Sequence, residues 1–231
     1  MRPEPNSENY QEMWHQHYAD LNYGKGLAAW FMKQSHKWSE ERYAEGDHFP
    51  IVLEVGAGTG IHIQHVKHSF DKYIVSDLDD RHLKQVISNN QKSGEIIVAK
   101  ENATNLSYPE NSVDRLIAAH VLEHLPNPHL VLREWYRVLK HGAIMTLVLP
   151  CDPGLAWRVG RNFGPRAKDE KLGIPYDYWM AREHINSITN LGSLIRYYFE
   201  ELEENWRPFF LPVSDLNLFY ICHITIAKNL N

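Results

Sequence analysis

The chain has 231 residues, 43% of them apolar, and its 24 lysines and arginines stand against 29 aspartates and glutamates for a formal net charge of −5. That length can bury one full core with a modest insertion, and the acidic balance disfavours a nucleic-acid binder, which carries a basic stripe. Met1 to Asn6 has no apolar signal region, and no run approaches the roughly 18 apolar residues of a membrane span, so a cytoplasmic chain without a transmembrane segment is expected. Cys151 and Cys222 lack metal-site spacing and are expected to be free thiols.

Residues 1–48 are unusually aromatic: Tyr10, Trp14, His17, Tyr18, Tyr23, Trp30, Phe31 and Trp38 suit two helices broken near Asn22 to Gly24. Next comes an apolar run, Ile51, Val52, Leu53 and Val55, of the kind a parallel strand buried on both faces requires. It runs into Gly56-Ala57-Gly58-Thr59-Gly60, where glycines let the chain turn sharply and leave bare backbone for a ligand. Ile61 to Val66 contains no breaker and is predicted to be a helix, placing the turn at a helix N-terminus. The G-x-G-x-G spacing differs from the G-x-G-x-x-G of dinucleotide sites, whose third glycine would fall at Ile61. Histidines 62, 65 and 68 share one side of that segment, but no carboxylate or cysteine completes a metal shell, and none is predicted.

Lys72 to Ser76 is a second strand ending at Asp77, about 20 residues past the turn, where a carboxylate can accept hydrogen bonds from both hydroxyls of a ribose. Leu83, Val86 and Ile87 then recur at helical spacing. A third strand, Glu95 to Ala99, leads to Asn102-Ala103, and a fourth leads to His120-Val121-Leu122-Glu123-His124-Leu125-Pro126-Asn127-Pro128. Asn127 and Pro128 read as N-cap and first residue of a helix running to His141-Gly142. Ala143 to Leu149 is a fifth buried strand, and Trp206 to Leu211 with Leu216 to Lys228 form two terminal strand signals.

The stretch Val52 to Gly60 resembles motif I of class I S-adenosylmethionine-dependent methyltransferases, with Glu54 at its acidic position. Asn102-Ala103 stands where that family has Asp-Ala holding adenine, and Leu122 to Pro128 is similar to the Leu-Glu-His-Leu-Pro-Asp-Pro segment of its type 11 branch. The resemblance covers roughly residues 50 to 150. It implies a doubly wound α/β fold, with a mostly parallel seven-stranded sheet and a terminal antiparallel strand, and S-adenosylmethionine as cofactor. Glu54, Gly56, Gly58, Gly60, Asp77, Leu78, Asn102, Ala103 and His120 become the candidate cofactor contacts. In such relatives an aromatic N-terminus often folds over the cofactor; the same rings could equally pack on the flank of the sheet.

Ala181 to Ser187 resembles the Glu-His segment of type 11 and type 12 relatives, with Asn186 where they often carry arginine. Their histidine commonly faces the acceptor, which makes His184 the first candidate base or orienting group and His120 the second. Arg158, Arg161 and Arg182, within a locally basic stretch after Asp152, suit an anionic acceptor such as a phosphate-bearing sugar or lipid intermediate. They join Trp14, Tyr18 and Tyr23 as candidate acceptor contacts. One domain is expected: an aromatic cap (1–48), a cofactor core (49–150), an acceptor-side insertion (151–200) and a terminal strand pair (201–231). The expected activity is methyl transfer, at oxygen, to a small-molecule or glycan- or lipid-type acceptor. Alternatives are a nucleotide-binding oxidoreductase and a catalytically silent cofactor-binding module, and the acceptor's identity is not legible.

Overall fold

The computed structural model describes residues 23–79, 94–162 and 164–228. Seven strands, β1 (His48–Val55), β2 (Ser69–Asp77), β3 (Glu95–Lys100), β4 (Val113–Ala119), β5 (Leu139–Pro150), β6 (Leu202–Arg207) and β7 (Phe219–Thr225), form one sheet in the order β3-β2-β1-β4-β5-β7-β6. The first five are parallel; β7 runs antiparallel to both β5 and β6. Helices α1 (Leu27–Ser39), α2 (Pro128–Val138), α3 (Leu155–Asn162), α4 (Pro165–Lys171), α5 (Tyr176–Glu183) and α6 (Ile188–Tyr198) complete the described residues. Because side chains alternate along a strand, β1 sends Leu53 and Val55 into a core with Trp135 and Leu132 of α2 and Leu191 and Ile195 of α6. Val52 goes to the opposite face with Ile63, Tyr73 and Ile117. The glycine turn after β1 and Pro150 at the end of β5 lie at the carboxyl edge of the parallel strands, where a doubly wound sheet places its ligands.

Several boundaries depart from the sequence expectation. Residues 61–66 are not an α-helix; only a 3-10 turn forms, His62–Gln64. The connection is too short, since Ser69 already pairs with His48 in β2, and His62 is buried in hydrogen bonds instead of sitting on a solvated helix face. Helix α2 stops at Val138 and not at Gly142, because Leu139 is drawn into register with Val113 of β4. Gly142, at φ 77°, lies inside β5 and donates to the Ile226 carbonyl. Asn127 precedes α2 in a left-handed conformation, and its side chain caps nothing. Strand β6 ends at Arg207 because the buried Asn217 side chain accepts from the Phe209 amide and donates to the Leu211 and Val213 carbonyls, folding residues 208–218 into a loop. The predicted helix with Leu83, Val86 and Ile87, and the aromatic residues before Tyr23, lie outside the described residues.

Beneath the ligand edge, Arg115 of β4 is fully buried and reaches Glu40, just past α1, through two hydrogen bonds. The Tyr43 ring lies 3.9 Å from its guanidinium carbon. Glu40 also accepts from His62 Nε2 at 2.9 Å. Burial would raise the Glu40 carboxyl, but the Arg115 charge and the His62 hydrogen bond outweigh it and hold the group well below the usual carboxylate range. A charge buried this way is strongly destabilising when its partner is removed, by about 3–5 kcal/mol. Arg115→Ala should lose about that much stability in urea unfolding at pH 7. Arg115→Met combined with Glu40→Gln should lose much less than the sum of its parts.

Candidate functional site

The glycine turn sits where β1 and β4 end together. Gly56, Gly58 and Gly60 all have positive φ, at 65°, 54° and 67°, a region costly for side chains. A Cβ on Gly56 would lie 2.5 Å from Val121 Cγ2, so the turn is pressed against the first residues after β4. Asp77, ending β2, braces the turn from the other side: its Oδ2 accepts from the Gly58 amide at 2.8 Å and its Oδ1 from the Asp79 amide at 2.9 Å. Each oxygen keeps a lone pair, and the neighbouring Leu78 is 64% exposed. A carboxylate with spare acceptor capacity, an exposed apolar side chain beside it and a bare-backbone turn fit an adenosyl ligand such as S-adenosylmethionine.

Three predicted contacts are otherwise engaged. Glu54 is buried, and its Oε2 accepts from the Tyr73 hydroxyl at 2.7 Å. Burial raises its carboxyl pKa, making it a brace between β1 and β2. The Asn102 side-chain oxygen accepts from both the amide and the hydroxyl of Thr104, at 3.0 and 2.8 Å. The Ala103 carbonyl accepts from the Trp135 indole, tying this loop to α2.

On the other side of the β4 end, the structure gathers groups from distant parts of the chain. His120, at φ 59°, lies 5.4 Å from the Phe219 ring of β7. Phe219 lies 5.8 Å from Trp157 of α3, and Trp157 stacks 6.3 Å from His184. His184 meets His124 at 4.7 Å, and Glu123 Oε1 closes the circuit, 3.8 Å from both His124 Nε2 and His120 Nδ1.

Hydrogen bonds fix the tautomers around this circuit. Ser35 donates its hydroxyl to the Met32 carbonyl, so it accepts from His120 Nε2–H and leaves Nδ1 with a lone pair. Burial, reinforced by His124 and His184, lowers the His120 pKa to about 3. His184 Nδ1 donates to Asp152 Oδ2 at 3.0 Å, leaving Nε2 as the acceptor. For Asp152, burial acts upward, but the His184 hydrogen bond and charge, with Arg161 at 3.6 Å, prevail and lower its pKa. A second chain backs the first: the Tyr23 hydroxyl donates to His36 Nε2, His36 Nδ1 donates to His62 Nδ1, and His62 donates to Glu40.

His120 and His184 are thus brought to one circuit, with Tyr23 joined through His36, whose ring is 5.7 Å from that of His120. The arginines are not gathered. Arg161 is spent on Asp152 and on the Tyr176 ring, Arg158 is exposed on α3, and Arg182 lies exposed against Trp179. Trp14 and Tyr18 lie outside the described residues. Among the described residues, no three histidine, cysteine or acidic side chains are placed to hold a metal ion. Glu123, Asp152, Ser35, Trp157 and Phe219 were not anticipated as site residues; only Glu123 had a signal, its place within Leu122-Glu123-His124.

A family model described as a methyltransferase domain matches residues 53–147. A rice protein named 2-methyl-6-phytyl-1,4-hydroquinone methyltransferase 1, chloroplastic, is 31% identical over 103 residues, covering 44% of this chain and 31% of the relative. The chain thus spans about a third of the plant relatives it matches. A Porphyromonas gingivalis demethylmenaquinone methyltransferase is 28% identical over 169 residues, covering 69% of this chain and 68% of that one. In fold, the chain is similar to the N-methyltransferase NodS of Bradyrhizobium japonicum, solved with S-adenosylhomocysteine. The TM-score is 0.66 at 11% identity, over 97% of this chain and 100% of that one.

The turn and its brace make a direct prediction. Gly56→Ala, which drives a methyl into Val121 at positive φ, and Asp77→Asn should each weaken S-adenosylhomocysteine binding at least about tenfold by calorimetry. Glu54→Gln should chiefly lower stability.

Proposed function

We propose that this chain, whose residues 53–147 form a class I S-adenosylmethionine-dependent methyltransferase domain of the type 11 branch, transfers a methyl group from S-adenosylmethionine to a hydroxyl of a small-molecule acceptor. The observation that carries this reading is a juxtaposition. The glycine turn braced by Asp77 and the circuit of His120, Phe219, Trp157, His184, His124 and Glu123 flank the same β4 end, in contact through Val121 and Gly56.

S-adenosylmethionine brings an already electrophilic methyl carbon, so the protein's share is placement and proton removal. Asp77 is assigned to the ribose hydroxyls, Leu78 to the adenine, and the backbone at Gly56 to Gly60 to close approach. His184 is assigned as base: Asp152 holds its Nδ1–H, leaving Nε2 to take the hydroxyl proton, and steadies the imidazolium that forms. His120, held neutral by burial and locked by Ser35, orients the acceptor. The domain division anticipated from the sequence follows the same logic, with residues 151–200 supplying Trp157 and His184 to the acceptor side.

A flat hydroxylated ring is the acceptor that the aromatic walls of Trp157 and Phe219 favour; the rice relative's name carries a hydroquinone and the Porphyromonas relative's a quinone. The anionic sugar or lipid intermediate expected from the basic stretch has less support, since Arg161 is already neutralised by Asp152. Incubation with S-adenosylmethionine and a panel of phenols and hydroquinones should release S-adenosylhomocysteine. His184→Gln should lower kcat by about 10²-fold with S-adenosylhomocysteine affinity unchanged, and Asp152→Asn should lower it in the same sense. A loss of cofactor affinity in His184→Gln would reassign that residue to the cofactor site.

A further inference from the structure

Glu123 is the acidic group that the assigned mechanism does not use. Its side chain is 2% exposed, and Oε2 has no hydrogen-bond partner. An unsatisfied buried carboxylate oxygen is expensive, so its retention asks for a ligand. With both rings neutral, the groups facing Oε1 offer it no proton; only a protonated His124 favours the carboxylate. His120 Nε2–H is committed to Ser35 and His124 Nδ1–H to the Glu183 carbonyl at 2.9 Å. The nitrogens turned toward Glu123 from 3.8 Å, His120 Nδ1 and His124 Nε2, therefore both carry lone pairs. Its own backbone amide is the one donor acting on the carboxylate, and Oε2 is left without any.

The mount is rigid. The Glu123 carbonyl accepts from the Ile185 and Asn186 amides, both at 3.1 Å. Asn186 donates through Nδ2 to the Leu122 and Leu125 carbonyls at 3.0 and 2.8 Å, clamping the turn that carries Glu123 to the segment that carries His184. Asn186, where relatives often carry arginine, thus has a definite task here.

We propose that Glu123 is the acceptor's anchor: its free oxygen accepts a hydrogen bond from a second polar hydrogen on a flat acceptor whose first hydroxyl faces His184. The inference rests on the methyl-transfer reading above and deepens it, because it selects acceptors with two donor groups, of which a hydroquinone is the simplest. Burial pushes the Glu123 carboxyl up to about 7, as a carboxylate short of donors requires, and a bound donor would return it toward the ionised form.

The test uses the full chain loaded with S-adenosylhomocysteine, whose own binding checks the underlying reading separately. Binding of 1,4-hydroquinone and of its dimethyl ether, which has the same ring and no donors, is then compared by calorimetry. Glu123→Ala should weaken hydroquinone about tenfold or more and leave the ether unchanged. Glu123→Gln, whose amide can donate to the histidine lone pairs while its oxygen accepts from the ligand, should restore hydroquinone binding to within about threefold and exclude misfolding as the cause. Equal losses for both ligands in Glu123→Ala, no loss for either, or failure of the loaded wild-type protein to bind hydroquinone would each overturn the proposal.

Discussion

The buried pair of Arg115 and Glu40 is the constraint on which the ligand edge depends. Arg115 rises from the middle of the sheet and Glu40 closes α1, so their contact fixes where that helix crosses the strand ends. Buried pairs seldom add net stability over an apolar substitute; this one fixes position. With Glu40 held, His62 is oriented by it, His36 by His62 and Tyr23 by His36, while Ser35, on the same helix, reaches His120. A helix displaced by one residue would break every one of these bonds.

This arrangement explains how so many of the described histidines are accommodated in the interior of an acidic protein. His36, His68, His120 and His223 all have pKa values lowered first by burial, so each is held neutral in the folded chain. A neutral imidazole is both donor and acceptor, and in the run from Tyr23 to Glu40 it serves as a directional connector: His36 and His62 each accept one hydrogen bond and donate one. The unfolded chain would take up protons at these positions below about pH 6.5, so their contribution to stability is present above that pH and is lost as pH falls. The hydrogen bonds from His184 Nδ1 to Asp152 and from His120 Nε2 to Ser35 leave lone pairs at His184 Nε2 and at His120 Nδ1 beside Glu123.

Much of this was legible in the sequence because it is local. The apolar runs of β1 and β5, the glycine turn and Asp77 are short-range patterns whose physics is set by backbone sterics and burial. The failures were also local rules, overruled by distant partners. Residues 61–66 carry no helix breaker, yet a short connection into β2 and the pull of Glu40 on His62 leave one 3-10 turn. Asn127 and Gly142 look like a cap pair, but pairing of Leu139 with Val113 ends the helix early. The anion site suggested by the basic stretch is a separate matter: Arg161 pairs with Asp152, while Arg158 and Arg182 stay exposed. No spacing could reveal that Phe219, His120, Trp157 and His184, from four separate segments, lie in contact. The sequence pattern located the glycine turn and Asp77, and only the tertiary structure assembled the circuit of His120, Trp157, His184 and Phe219 beside them.

Calorimetric titration of the full chain with S-adenosylhomocysteine, run against NAD under the same conditions, tests the central claim most directly. The account predicts saturable binding of S-adenosylhomocysteine at one site per chain and none of NAD, because Gly56, Gly58 and Gly60 shape a turn without the helix N-terminus that a pyrophosphate needs. Binding of NAD with no binding of S-adenosylhomocysteine would contradict it.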